Sequence, residues 1–253
     1  MKTVVFLGSK PIGYRCLDYL IQNKEYLDIQ LVACHTNDNK RFDASLSVKE
    51  LAHKHGIKIL RDIDDLLMMD EIDIIISVQY HIIIKQVHIE KAKQIAVNLH
   101  MAPLPEYRGC NQFSFAIYQK AKEFGTTIHK MDTGIDSGDI LFESRFDIPE
   151  GCSVKQLYDL TYDASILLFE HKIKNIINYD YVLIPQENLI KQRGTQIFYR
   201  KDINLLKRIE LPEDVINRVR ATAMPGFEPP YAYDGEKKIF LIPEEYFQIN
   251  KNG

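Results

Sequence analysis

Two side chains able to do acyl chemistry stand two residues apart at the end of an apolar run. Asn98 and His100 follow Ile95-Ala96-Val97, and on an extended chain such neighbours face the same way. An imidazole can take up a proton, and a primary amide can donate to a developing oxyanion. Taken alone, the pair favours a plainer reading, a strand end with incidental polar residues. Two further polar stretches change the weighting. Gln79-Tyr80-His81 closes Ile72–Val78, the most hydrophobic run in the chain, and Asp132-Thr133-Gly134-Ile135-Asp136-Ser137-Gly138-Asp139 follows the strand-like stretch Gly125–Met131. In an open α/β sheet, ligands sit outside the carboxyl ends of parallel strands. Three such ends on one edge would bring a carboxylate to Asn98 and His100, where it could hold the imidazole or a water. A calcium loop competes for the acidic stretch. It lacks the regular acid spacing and the Glu at position 12, so a plain turn is favoured over calcium.

The elements that must position these groups follow from periodicity. Thr3–Leu7 is an unbroken apolar run, as in a strand covered on both faces. Gly8 to Gly13 forms a turn, and Ile12, Cys16, Leu17, Leu20 and Ile21 then recur at helical spacing. Strand, glycine turn and helix open an α/β fold of Rossmann type. The turn fits neither nucleotide fingerprint: Lys10 stands where a dinucleotide loop needs its middle Gly, and Gly13-Tyr14-Arg15 replaces the Gly-Lys-Ser/Thr of a P-loop. Its N–H groups and Lys10 remain suited to an anion.

Further along, Ile29–His35 reads as a strand, Asn37–Lys49 as a polar loop, Val48–His55 as a helix and Ile57–Leu60 as a short third strand. His53 and His55 fall on different helix faces and read as solvated or capping residues. Asp62–Met69 suggests a short helix, and Gly109 to about Lys122 another. Ile140–Phe146 alternates as a half-exposed strand, and Ser153 caps a long amphipathic helix. Beyond Asn178 the alternation of helix and strand stops. The expected layout is a mostly parallel α/β domain over residues 1–180 and a small C-terminal α+β domain over residues 181–253.

Composition narrows the function. Hydrophobic residues make up 45% and charged residues 26% of 253, with a formal charge of −3. That describes a globular chain with a real core and no general nucleic-acid footprint. The four cysteines are scattered without metal-ligand or disulfide spacing. No signal peptide or 18-residue apolar span is visible, so a cytoplasmic protein without a membrane segment is expected.

Asn98-Leu99-His100, Pro103-Leu104-Pro105-Glu106-Tyr107-Arg108-Gly109 and Met131-Asp132-Thr133-Gly134-Ile135-Asp136-Ser137-Gly138-Asp139-Ile140 together resemble the N10-formyltetrahydrofolate-dependent formyltransferase family. The resemblance spans about residues 1–180 and implies a triad of Asn98, His100 and Asp136. It also implies a folate site at Val78, Gln79, Tyr80, Asp132, Gly134 and Ile135, with no metal. Tyr107–Ser114 and the tail Arg220–Tyr231 are similar to the sugar N-formyltransferases, although Met224 replaces an expected aromatic residue. That likeness implies a nucleotide-linked amino-dideoxysugar acceptor, preferably dTDP-linked, destined for O-antigen or another surface glycan. Lys10, Met101, Tyr107, Arg108 and Tyr231 would contact it, and a homodimer is expected. Two alternatives stand beside this reading. A methionyl-tRNA formyltransferase-like enzyme would keep the chemistry, and a non-catalytic Rossmann-type nucleotide-binding module would explain only the first 35 residues.

Overall fold

Strand β1 (Lys2–Gly8) feeds two cores at once, because successive side chains leave opposite faces of a strand. Val4 and Phe6 pack with Ile12, Leu17 and Leu20 of helix α1 (Lys10–Gln22), while Val5 and Leu7 meet Ala33, Leu66 and Ile75 on the other side. Each such fully buried side chain contributes about 1.5–3 kcal/mol of hydrophobic stabilisation. The computed structural model describes residues 1–36, 46–210 and 214–243. The expected loop Asn37–Lys49 therefore lies largely outside the described residues, as do residues 211–213 and the last ten residues.

Around β1 the main sheet runs β2 (Ile29–His35), β1, β3 (Ile74–Val78), β4 (Ile95–His100), β6 (Glu123–Lys130), β7 (Ile140–Asp147). The first four strands are parallel, so the expected α/β core with strand, turn and helix is present. From β4 onward the sheet turns antiparallel: β6 opposes β4, and β7 opposes β6. This corrects the expectation that all three polar loops follow parallel strands. The acidic loop reaches the Asn98–His100 end of β4 because the β6–β7 hairpin folds back there, not because β6 ends there. Ile57–Leu60 is also less than the expected strand. It makes one parallel bridge, Ile59 to Cys34.

The helices on the sheet are α1, α3 (Val48–Lys54) and α6 (Val154–Ile177), with short α2 (Lys24–Leu27) and α4 (Gln86–Ile89) in the connections. Ser153 begins α6 as expected: its Oγ accepts from Gln156 N–H while Gln156 Oε1 accepts from Ser153 N–H. At 24 residues α6 spans about 36 Å, and it lays Phe169, Ile173 and Ile176 against the first core. Asp62–Met69 forms a 3-10 turn, Ile63–Met68, inside the range expected for a helix.

The C-terminal part returns to the domain before forming its own small unit. After α7 (Glu187–Arg193), strand β8 (Gln196–Phe198) pairs in parallel with β5 (Tyr107–Gly109), just ahead of α5 (Gln112–Tyr118). Gly109, at φ +88°, is needed at this seam, because a Cβ there would fall 2.2 Å from the Phe198 carbonyl oxygen. Helices α8 (Ile203–Lys207) and α9 (Val215–Thr222) follow, and then the hairpin β9 (Tyr231–Asp234) and β10 (Lys237–Phe240). Among the described residues no helix is long and apolar enough to cross a membrane.

Candidate active site

Asn98 and His100 lie on β4, the last parallel strand, and the neighbouring antiparallel strand sets what they meet. Asn98 pairs in register with His129 of β6, and directly opposed side chains share one face of a sheet. His129 donates from Nδ1 to the Lys130 carbonyl at 2.9 Å. Its Nε2 is then free to accept from Asn98 Nδ2, 3.1 Å away. This bond decides which way the Asn98 amide points, and it leaves the second Nδ2 hydrogen for a ligand. His129 was not found by sequence reasoning. Its signal was an imidazole near the end of the strand that leads into the acidic loop.

His100 is 5% exposed. Its Nε2 lies 2.8 Å from the Tyr107 carbonyl, and since a carbonyl only accepts, that nitrogen carries the hydrogen. The proton-exchanging atom is therefore Nδ1, which faces Asp136 Oδ2 at 3.6 Å. Asp136 Oδ1 stands 3.6 Å from His129 Nε2, and Gly109 N–H donates to Oδ2 at 2.9 Å. Burial pushes the Asp136 carboxyl up, but the positive charge that His100 and His129 carry when protonated, with the Gly109 N–H, reverses this and holds it well below the usual carboxylate range. It is a fixed negative charge beside two imidazoles. The three expected catalytic residues thus converge, with His129 as a fourth member.

Asp136 sits at φ +46°, a strained region for a non-glycine residue that persists only where neighbours over-determine it. Asp132 closes the near end of its loop, accepting from Gly134 N–H and Ser137 Oγ–H, so this carboxylate serves as turn chemistry. At the far end Lys130 N–H donates to Asp139 O, and Gly138 presses so close to Lys130 that a Cβ would lie 1.9 Å from its carbonyl oxygen.

A cavity of 430 Å³ opens beside this constellation. Ser77, Asn98 and His129 form its floor, Tyr80 to Ile84 one wall and Met131 to Asp136 the other. Of the expected folate residues, Tyr80, Asp132, Gly134 and Ile135 line it. Val78 and Gln79 do not. Val78 is fully buried and offers only its carbonyl, to Ser9 N–H. Gln79, at φ +49°, binds the β1–α1 turn: its Oε1 accepts from Lys10 Nζ at 2.7 Å and its carbonyl from Ser9 Oγ at 2.6 Å.

The expected acceptor residues divide further. Lys10 stands at the turn with a lowered pKa, caused first by burial and then by the charge of Arg200. His81 is lowered by burial, Lys10 and Arg200. Arg200, which sequence reasoning missed, is thus a partner in one positive field, brought there by the β5–β8 pairing and by Asn111 Nδ2 donating to its carbonyl. Met101 is 1% exposed and is a core residue. The Tyr107 ring packs edge-on to Phe124 and stacks on Phe198, so only its carbonyl serves the site. Arg108 is engaged with Gln186 Oε1, through Nε at 3.1 Å and Nη2 at 2.8 Å. Tyr231 packs in the small hairpin against Tyr233 and beneath Lys238. A second cavity, of 320 Å³, lies between Pro11, Tyr158 and Tyr162 on one side and Met224 to Phe227 on the other.

The chain is 29% identical over 253 residues to the bifunctional polymyxin resistance protein ArnA of Wigglesworthia glossinidia brevipalpis, covering 95% of this chain and 37% of that one. It is 27% identical over 207 residues to the methionyl-tRNA formyltransferase of Rickettsia massiliae, covering 78% and 64%. The chain therefore spans less than two thirds of both relatives. Among solved structures, an N-formyltransferase from Helicobacter canadensis in complex with folinic acid and dTDP-3-aminofucose superposes with a TM-score of 0.76. It is 25% identical and is matched over 94% of this chain and 86% of its own. Residues 1–171 match the formyl transferase family, and the chain belongs to that family.

Proposed function

We propose that the protein transfers the formyl group of N10-formyltetrahydrofolate to the amine of a nucleotide-linked amino-dideoxysugar, with dTDP as the preferred nucleotide. The observation that carries this reading is the convergence of Asn98, His100 and Asp136 beside one 430 Å³ cavity. An apolar wall, Ile82 to Ile84, and a polar floor suit a flat bicyclic pterin with a hydrogen-bonding edge. The acceptor side is supported by Lys10 and Arg200, a cationic pair suited to a diphosphate, with the Tyr158–Tyr162–Phe227 cavity beyond Pro11 as a seat for the base. The Helicobacter canadensis enzyme holds a ligand pair of this chemistry. In this reading residues 1–180 are the catalytic domain and residues 181–253 the small domain, with a homodimer formed through the apolar hairpin face of Tyr233, Phe240 and Ile242.

In the mechanism, the sugar amine attacks the formyl carbon, and the carbonyl π pair moves onto its oxygen. Asn98 donates its remaining Nδ2 hydrogen to that oxyanion. His100 Nδ1 takes the ammonium proton, and the Asp136 carboxylate stabilises the imidazolium so formed. Collapse breaks the C–N10 bond as the His100 imidazolium gives that proton to N10, which leaves as the neutral secondary amine of tetrahydrofolate and restores the neutral imidazole. The deciding experiment incubates the protein with N10-formyltetrahydrofolate and a panel of dTDP-, UDP- and GDP-linked 3- and 4-amino-dideoxyhexoses, with initiator Met-tRNA as a further acceptor. Formamide product from a dTDP-sugar is expected. Turnover of the tRNA alone would replace this acceptor with the tRNA one. Lys10→Gln and Arg200→Gln should each raise the acceptor KM about 5–10-fold, at unchanged donor KM, through loss of a charge-assisted contact.

A further inference from the structure

Gln186 is 2% exposed, lies beyond the family-matched residues, and has its whole amide engaged at the site. Its Nε2 donates to the Asp136 carbonyl at 2.9 Å and to the Gly138 carbonyl at 2.7 Å. Its Oε1 receives the two-pronged contact from Arg108. Both donors and both acceptor positions of a carboxamide are thereby used. The amide joins the strained residue that carries the carboxylate to the loop that carries Gly109, itself a donor to that carboxylate.

The segment bearing Gln186 is pinned on either side. Ile184 exchanges both backbone bonds with Ile140, each at 2.9 Å, and Arg193 grips Glu143 with two bonds of 3.0 Å. Gln186 is therefore a fixed point, while Asp136 lies in a backbone conformation that needs one. We propose that Gln186 is a positioning residue for the reaction. Its amide, locked by Arg108, holds the main chain of Asp136 and Gly138 so that the carboxylate faces His100. This rests on the reading of Asp136 as the catalytic carboxylate. It also gives Arg108 the task of orienting Gln186 in place of binding phosphate.

The test compares Gln186→Leu, Gln186→Glu and Asp136→Asn with the wild type. It uses N10-formyltetrahydrofolate with the amino-sugar acceptor found in the panel, together with a pH titration of the Asp136 carboxyl by 13C NMR. Gln186→Leu should lower kcat about 10–100-fold, the size expected when a catalytic group is misplaced by about an ångström. The donor KM should stay within about threefold and the Asp136 carboxyl should titrate closer to the ordinary carboxylate range, because the contacts that depress it are loosened. In an Asp136→Asn background, Gln186→Leu should change single-turnover transfer less than about twofold, since the two act as one unit. Gln186→Glu keeps the size and the Arg108 contact but turns an oxygen on two carbonyls. It should show the same losses, and it decides the matter if the Leu variant does not fold. Wild-type kcat with an unmoved Asp136 titration in a folded variant would overturn the proposal, as would full additivity with Asp136→Asn. Wild-type turnover in Asp136→Asn would instead remove the catalytic reading of Asp136, and the NMR titration would still decide whether Gln186 fixes it.

Discussion

The two halves of the candidate active site hold their side chains by different physical means. On the parallel side, Asn98 and His100 are placed by a ladder: β4 is hydrogen-bonded on both flanks, and the pleat aims both residues at one face. On the antiparallel side, Asp136 belongs to a loop with no ladder of its own. It is held by Gly109 and Gln186 and faced by His129, all reaching it from separate parts of the chain. A strand residue inherits its position from regular structure. A loop residue has to be held by side chains chosen for the purpose, and its position is only as good as those holds.

The largest test of this contrast is Asn98→Ala. The strand backbone does not depend on that side chain, so the variant should lose oxyanion stabilisation and little else. The expected result is a kcat lower by about 10²–10³-fold, with Tm nearly unchanged. A comparable fall in Tm would show that the amide is holding the sheet instead. Gly138→Ala probes the opposite half. Its new methyl would start 1.9 Å from the Lys130 carbonyl oxygen, so the hairpin must shift. Stability should fall by about 1–3 kcal/mol, and kcat by about 10-fold as Asp136 moves. Urea unfolding and steady-state kinetics on the same preparation measure both. Lost activity at wild-type stability would break the distinction between the halves.

The same contrast explains what could be read from the sequence. β1, α1, β3 and β4 were legible because their apolar spacing is local, and the Asn98, His100 and Asp136 set was legible through two motifs. The direction of β6 was not legible, because the 101–122 connection from β4 is long enough for a parallel crossover or an antiparallel return. Gln186 and Arg200 left no local mark, since each acts through a contact many residues away. Arg108 was legible as a cation near the site but not as Gln186's partner, because its direction depends on a segment some 80 residues later. Ladders show in periodicity, and clamps show only once the chain is folded.

The smallest expected effect concerns acid. Burial alone would raise the Asp136 carboxyl, yet its neighbours hold it below the ordinary value near 3.8. A carboxyl depressed on folding contributes stability that is complete above its unfolded pKa and lost only as pH falls through its folded value. The stability gap between wild type and Asp136→Asn should therefore stay flat from about pH 8 down to about pH 5, and close only in stronger acid. Turnover should nevertheless decline on the acid side within that range, because the attacking amine must be unprotonated. Unfolding measured across this pH series beside kcat/KM separates the two. If the stability gap shrinks in step with activity, Asp136 is itself titrating and its loop is held less firmly than the three contacts imply. If the gap stays flat while activity falls, the acid limb belongs to groups outside the loop, the attacking amine first, and the antiparallel loop supplies a charge that does not change.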